Sequence, residues 1–391
     1  MWLSTGVLLG WLLLTFLPIA AVMGIGLWKI RSLGPRTSPG TAVAPVVPVE
    51  ILVPVKGSNG MLDYSLKSLL EQTYSEYGVL FIVESPEDSA NEVVDRLCAK
   101  HPHARKAVSG SAVSCGQKNH NLVEGVKHLK SDTKIIVFCD STNVAHPEWL
   151  AEFTLPLRSG ASEVVTTFRA FEPDPETIGG VGQAIYASFV RLLITVKPKP
   201  WGGATGMLRE TFESQLVMEA WSRTVVDDLI LGNVLDAAGI PVRMDPVHLL
   251  RSPVRNQTIK GLYNYLERQI LFPKFTNPGI WVGSMVLTLS MTAASLVTVW
   301  CAVLLFLGRM EPALGILSLG FQAAVVLTVA GLRFQSPSRV SLRNWFLALP
   351  PLAGMIALIL VRSIFLNYID WHGKRYWCGA GGEVLFVEPG H

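Results

Sequence analysis

Three acidic groupings in this chain follow apolar runs, and two lysines and a glycine-rich loop accompany them. Lys134-Ile-Ile-Val-Phe-Cys139 leads straight into Asp140, Tyr77 to Val83 leads into Glu84 with Glu87 and Asp88 just beyond, and Val225-Val226 leads into Asp227-Asp228. A short apolar run between turn signals reads as a buried strand. Ligands of open α/β sheets bind beyond the carboxyl ends of such strands. Lys56 and Lys118 fall in adjoining loops, and Trp201-Gly-Gly-Ala-Thr-Gly206 is a loop where a ligand can approach backbone closely. Carboxylate, lysine and glycine converging on one sheet edge suit a metal-bound diphosphate. Hard oxygens hold Mg2+ or Mn2+, which bridges phosphate oxygens and neutralises leaving-group charge.

Each of these residues also has a plainer role. Asp140 suits a turn after a strand. Asp227-Asp228 suit the first turn of a helix, where the dipole favours negative charge and a side chain caps free N–H groups. Lys56 and Lys118 suit solvated surface. His101, His103, His120, His128 and His146 show no metal-ligand spacing, and Cys139 reads as a small buried hydrophobe rather than a nucleophile. The five cysteines form no paired spacing, so neither a zinc site nor a disulfide framework is expected, and a reducing compartment fits. A net charge of +3 without a long basic run gives no nucleic-acid footprint.

Positioning these groups requires alternating strands and helices. Val49 to Val55 and Tyr77 to Val83 read as strands, as do Lys134 to Cys139, Glu163 to Phe171 and the short edge run Ile240 to Met244. Between them, Leu62 to Gln72, Ser89 to Lys100 and Asn119 to Leu129 carry helical stripes, and Glu210 to Glu219 reads as helix. An alternation of about 30 residues predicts a parallel α/β sheet with right-handed crossovers. Ile178 to Val196 has one sustained apolar face, which suits a core helix or a membrane-surface helix bordering a lipid groove.

Half the residues are apolar and 16% are charged, and the shortage of charge is concentrated at the two ends. Residues 1–33 read as a transmembrane anchor, too long and too poor in basic residues at its start for a cleaved signal peptide. Lys29, Arg31 and Arg36 follow the span and predict a cytosolic segment after it. The expected organisation continues with a linker at 34–48, a catalytic domain at 49–258, an interfacial helix at 259–279, about three transmembrane helices within 280–366, and a tail at 367–391. Arg333, Arg339 and Arg343 predict a cytosolic loop before the last apolar stretch. Counting spans then exports the tail, whereas its basic Trp371-His-Gly-Lys374-Arg375-Tyr376 reads as cytosolic. Either one stretch is re-entrant or interfacial, or the tail is exported.

The stretch from about 50 to 275, together with the tail, resembles the membrane-bound inverting glycosyltransferases of GT-A fold (family 2-like). The nearest resemblance is to the ceramide glucosyltransferase group. It is carried by Pro54-Val-Lys56-Gly57, Val83-Glu-Ser-Pro-Glu87-Asp88-Ser-Ala, Lys118-Asn-His-Asn121-Leu, Cys139-Asp140-Ser, Thr205-Gly-Met, Val226-Asp227-Asp228 and Trp371 to Tyr376. Each piece is short, and the specificity lies in their order, spacing and membrane layout. The resemblance implies an α/β, GT-A (Rossmann-like) domain with N-terminal and C-terminal transmembrane helices, facing the cytosol. It implies a nucleotide-sugar donor, a UDP-sugar in most of the group, a lipid hydroxyl as acceptor, and a divalent cation. Pro54, Lys56, Glu84 and Asp88 would cradle the nucleotide, with Lys118 near the diphosphate. Asp140 would bind the metal and Asp228 would be the general base. Gly203, Thr205, Asp227, Arg268 and Gln269 would serve acceptor and diphosphate.

Three departures from the family pattern stand out. Asp140 is followed by Ser141, so a two-aspartate metal motif is absent and Asn143 offers a second oxygen instead. The interfacial motif, usually Gln or Arg, two residues, then Arg-Trp, reads here Tyr265-Leu-Glu-Arg268-Gln269, keeping the Arg and losing the Trp. Pro86-Glu87 precede Asp88 in the acidic stretch, which leaves the sugar open. A processive polysaccharide synthase and a non-catalytic membrane scaffold are the competing readings.

Overall fold

In a computed structural model, residues 5–32 and 44–390 are described. Most of the expected linker, with Arg36, lies outside them. After α1 (Thr5–Ser32), the chain builds β1 (Val49–Val55), α2 (Leu62–Leu70), β2 (Tyr77–Val83), α3 (Asn91–Lys100), β3 (Ala104–Val108), α4 (Gln117–Lys127) and β4 (Ile135–Cys139). Side-chain alternation places Ile51, Val53 and Val55 in one hydrophobic layer and Leu52 in the other. The stripes at Leu62, Leu66, Leu69 and Leu70 and at Val93, Val94 and Leu97 bury α2 and α3 on the first layer. Leu122 of α4 packs into the second.

The next part comprises α5 (Trp149–Arg158), β5 (Val164–Thr166), β6 (Arg169–Asp174), α6 (Ile178–Val196), β7 (Ala204–Leu208), α7 (Arg209–Ser214), α8 (Val217–Trp221), α9 (Asp227–Ala237), β8 (Val242–Met244) and β9 (Leu250–Arg255). The main sheet has the order β3-β2-β1-β4-β7-β5-β8. Its first four strands are parallel, as expected, but β7 runs antiparallel to both β4 and β5, so the sheet is mixed. The direction has a geometric reason: Ala204 pairs with Cys139, so β7 begins at the edge where β4 ends. That start delivers the 201–203 loop to Asp140, whose N–H donates to the Gly203 carbonyl at 3.1 Å.

The single strand expected over Glu163 to Phe171 is two strands. At the break, the Thr167 hydroxyl donates to the carbonyls of Asp245 and His248 at 2.9 and 3.0 Å. Beyond it β6 leaves the main sheet and pairs in parallel with β9.

The C-terminal part contains α10 (Ile259–Thr276), α11 (Pro278–Phe306), α12 (Pro312–Gln335), α13 (Leu342–Ser363), β10 (Tyr368–Trp371), β11 (Lys374–Cys378) and β12 (Val384–Pro389). The last three form an antiparallel sheet. Among the described residues, α1, α6, α11, α12 and α13 are long and apolar enough to cross a membrane. Protein covers 67% of the apolar window of α6, against 11% to 28% for the others, so α6 is a core element.

One end of α13 is tied to the catalytic domain and the other to α10. At its start, Ser341 N–H and Oγ and the Asn344 amide donate to Glu176, just before α6. At its end, Arg362 pairs with Glu267 and donates to Tyr263 Oη of α10 at 2.6 Å. Lys274 of α10 also donates to the Ser363 carbonyl at 2.7 Å.

Candidate active site

Lys118, in the first turn of α4, is the centre of the acidic cluster. Its Nζ lies 2.8 Å from Asp140 Oδ1 and 2.9 Å from Asp227 Oδ2, and donates to the Gly202 carbonyl at 2.9 Å. Burial works against its charge, but Asp140, Asp227 and Asp228 outweigh that and hold it firmly protonated. A surface lysine it is not. At Gly202 a Cβ would stand 2.5 Å from Asp227 Oδ2 and 2.8 Å from Lys118 Nζ, so the cluster closes only over glycine.

Asp228 is the second residue of α9, where it accepts from Gly202 N–H at 2.9 Å through Oδ2 and from Leu229 N–H at 2.7 Å through Oδ1. Burial, and then the adjacent Asp227, push its carboxyl up to about 6 against the pull of Lys118 and the two N–H groups. Asp227 is buried with its carboxylate on Lys118, and its carbonyl accepts from Trp221 Nε1 at 2.9 Å. The pair therefore divides the work: Asp227 binds the lysine, and Asp228 holds two backbone N–H groups with its carboxyl raised above the ordinary carboxylate range.

The nucleotide side of the expected site is built on Glu84. It pairs with Lys56 from the β1 turn and with Lys374 Nζ at 2.6 Å, and accepts from Ser111 Oγ at 2.7 Å. Burial opposes its charge, yet these donors, Lys374 first, bring its carboxyl down to about 2. Asp88 Oδ1 accepts from Gly57 N–H at 2.8 Å and Ala90 N–H at 2.9 Å, which fixes the Lys56–Gly57 turn against the start of α3.

A third group surrounds Arg169, at the start of β6. Its guanidinium lies 4.5 Å from the Phe171 ring centroid and 5.1 Å from that of Trp201, with Nη1 4.0 Å from Asp140 Oδ2. Its buried Nε has no hydrogen-bond partner. Tyr265 packs edge-on to both Phe171 and Tyr186 at 6.0 Å. Arg268 is buried enough to lower its basicity, and Tyr265, Glu267 and Arg169 are the charged or titratable groups acting on it.

Several expected residues do not offer free groups. Thr205 is 1% exposed, and its hydroxyl donates to the Trp201 carbonyl and accepts from Trp201 N–H, so it shapes the loop instead. Asn143 offers no metal a second oxygen. Its Oδ1 accepts from Ser252 Oγ at 2.7 Å and its amide donates to the Gly203 carbonyl at 2.8 Å. Gly203 serves through backbone: a Cβ there would overlap the Trp201 ring at 2.0 Å. Pro54 sits within β1 opposite Ile82, and Gln269 is half-buried on α10. Burial pushes the Cys139 thiol up, consistent with an inert hydrophobe. Sequence reasoning gave no role to Arg169, and it left Lys374, which reaches Glu84, in a tail of unsettled place. The basic tail motif was the available signal.

The residues present fit a divalent cation in a limited way. Asp140 is partly exposed, with one oxygen on Lys118 and the other facing Arg169 at 4.0 Å. Among the described residues no three His, Cys, Asp or Glu side chains are grouped to hold a metal ion. The donor set thus suits a cation shared with a diphosphate, with Asp140 as the protein's ligand.

The profile of glycosyl transferase family 21 matches residues 12–384, which takes in the donor-side loops, the Asp227-Asp228 helix and most of the tail sheet. The chain belongs to glycosyl transferase family 21. Within 118 residues it is 26% identical to ceramide glucosyltransferase 1 of Caenorhabditis elegans, a match covering 29% of this chain and 25% of that relative. Among solved structures it is similar to the mannosyltransferase PcManGT of Pyrobaculum calidifontis, in complex with GDP-mannose and Mn2+. There the TM-score is 0.55 at 16% identity, over 90% of this chain and 99% of that one. The fold of this family 21 chain is accordingly of the GT-A kind, with long apolar helices at both ends of the domain.

Proposed function

We propose that this chain moves one sugar from a nucleoside-diphosphate sugar to the hydroxyl of a membrane lipid, with inversion at the anomeric carbon and Asp228 as the general base. The observation that carries the reading is the half-buried Asp228, its carboxyl pushed up to about 6, beside the cluster in which Lys118 holds Asp140 and Asp227. Asp228 takes the acceptor hydroxyl proton while that oxygen forms its bond to the anomeric carbon. The bond from that carbon to the diphosphate oxygen breaks, and the leaving group keeps the electron pair. Lys118, Arg169 and Arg268 are the cations that meet the charge left on it. A divalent cation held by Asp140 supplies further neutralisation of the diphosphate when bound. With one carboxylate for it, the cation binds weakly until the donor arrives.

The lipid acceptor is supported by α6, α10 and α13: α13 bonds α10 and Glu176 just before α6, and the three helices carry exposed apolar residues including Ile178, Ile259, Leu347 and Leu358. The spans that fit are α1, α11 and α12. Because α13 bonds Glu176 of the catalytic domain at one end and the α10 helix at the other, we read α13 as interfacial, and the tail shares the domain's side. Lys29, Arg31, Arg333, Arg339 and Arg343 support a cytosolic face.

The test is transfer from UDP-, GDP- and other nucleotide sugars, with Mn2+, into lipid extract, read by mass spectrometry. One added hexose per lipid is expected, and Asp228→Asn should lower turnover by about 10²–10⁴-fold. A ladder of chain lengths would favour a processive synthase, and undiminished transfer by Asp228→Asn would remove the base assignment.

A further inference from the structure

The C-terminal sheet is joined to the expected donor site at three places. Lys374 Nζ donates to Glu84 Oε1 at 2.6 Å and to Gln117 Oε1 at 2.7 Å, bridging the end of β2 and the start of α4. Tyr376 Oη accepts from Gln117 N–H at 3.3 Å. Val225 N–H donates to the Gly382 carbonyl at 3.0 Å and Val384 N–H to the Arg223 carbonyl at 2.8 Å, so the sheet also grips the backbone leading into Asp227-Asp228. Its apolar side shares a core with Val225, Val226, Leu271 and Phe275. A segment that comes after the membrane hairpin thus returns to hold the β2 edge, the Lys118 helix and the Asp228 helix together.

The turn of this sheet is unusual for the residue it carries. Trp371 pairs with Lys374, so His372 and Gly373 are the whole of a two-residue loop. Their φ values are +50° and +74°, the positive values that a type I′ hairpin turn requires. Asn, Asp or Gly is commonest at the first position, and histidine is among the few other residues that adopt its left-handed conformation readily. The imidazole packs against Trp371, with ring centroids 5.9 Å apart. The charged groups acting on it are Arg268, Lys56, Asp140 and Asp88, which come from four separate elements around the site. His372 is an exposed turn residue two positions before Lys374, whose amine reaches Glu84 and Gln117, so the turn is held at the expected donor site although it lies more than 230 residues beyond Asp140 in the chain.

We propose that the C-terminal sheet is a wall of the donor site, in which His372 hydrogen-bonds the diphosphate of the nucleotide sugar and Lys374 is a positioning residue that sets Glu84. The proposal rests on the transferase reading for the identity of the ligand. An imidazole N–H is a fitting donor to a phosphate oxygen, and the positive charges of Arg268 and Lys56 felt at the ring favour an anion there. Lys374 acts through Glu84 and Gln117, whose positions it fixes.

The test uses the full chain in detergent with Mn2+, the nucleoside diphosphates UDP and GDP, and the nucleosides uridine and guanosine, with binding measured by competition. His372→Gln should weaken the preferred diphosphate about tenfold, the share of one hydrogen bond to a charged group, and leave the matching nucleoside unchanged. In transfer assays the same variant should raise the donor KM and leave the acceptor KM alone. Lys374→Met should weaken both nucleoside and diphosphate, and Lys374→Arg should restore most of the loss. Unchanged diphosphate affinity in His372→Gln, or an equal loss for diphosphate and nucleoside, overturns the contact. Unchanged binding in Lys374→Met overturns the positioning role. A wild-type chain that binds diphosphate but transfers no sugar leaves this wall standing and removes the transferase reading, whereas one that binds no nucleotide at all removes both.

Discussion

An aspartate accepts a proton from an alcohol most effectively when its own basicity lies near the pH of the medium. An ordinary surface aspartate is too acidic. Asp228 is brought up to about 6 by burial and by Asp227, while Lys118 limits the rise. In the proposed mechanism the charged form of Asp228 is the active one, so kcat/KM should fall as pH drops through about 6. The sign for stability is opposite. The folded chain holds the Asp228 proton more tightly than the unfolded chain, so this residue favours folding most below the ordinary carboxylate range. That contribution is lost as pH rises through about 6. A pH profile of transfer with saturating acceptor checks the first sign, and a profile flat between about pH 5 and 7 would contradict it.

At the scale of elements, the site depends on how closely α4 approaches the strand-like segment before α9. Gly116 precedes α4, donates its N–H to the Thr224 carbonyl at 2.9 Å, and would put a Cβ 2.4 Å from the Val225 carbonyl oxygen. Asn119 holds the same contact through its amide on Thr224 at 2.8 Å. Backbone cannot give way as a flexible side chain can, so Gly116→Ala must move α4, and Lys118 with it. The expected cost is about 1–3 kcal/mol of stability, seen as a lower thermal midpoint in detergent, together with reduced turnover. Wild-type values for both would mean that this approach is not what sets the Lys118 cluster.

At the scale of the whole molecule, α13 decides where the tail lies. Its 22 residues make a helix of roughly 33 Å, long enough to cross a bilayer. A crossing would carry its far end away from the domain, yet Ser341 at one end and Arg362 at the other bond Glu176 and Glu267. Epitope tags placed in the loop between α12 and α13 and after His391 should therefore be reached from the same face of sealed vesicles, and a tag before Met1 from the other. Protection of the C-terminal tag when the loop tag is cleaved would sink this topology.

The sheet edge was legible in the sequence because it rests on local signals. Apolar runs that end at Glu84, Asp140 and Asp227 read as strands and a helix start wherever they occur, and the order of short motifs carried the family. Charge-free stretches likewise marked the apolar ends. Partnership between distant residues was not legible. Nothing local to Arg169 tells that Phe171 and Trp201 will flank it beside Asp140, since one neighbour arrives after the α6 excursion. Thr205 and Asn143 have the right chemistry, and only their neighbours, Trp201 and Ser252, show that their polar groups are already used. The direction of β7 is equally non-local, because it follows from which edge the 201–203 loop must reach. Hydropathy makes α13 long and apolar enough to span a membrane, whereas the bonds at its two ends are visible only in the tertiary structure. By itself the sequence determined the alternating α/β frame, the family and the acidic and basic residues of its sheet edge. Tertiary structure decided which of those residues meet, and that the tail returns to Glu84, because both depend on contacts between segments that lie from some twenty to nearly three hundred residues apart.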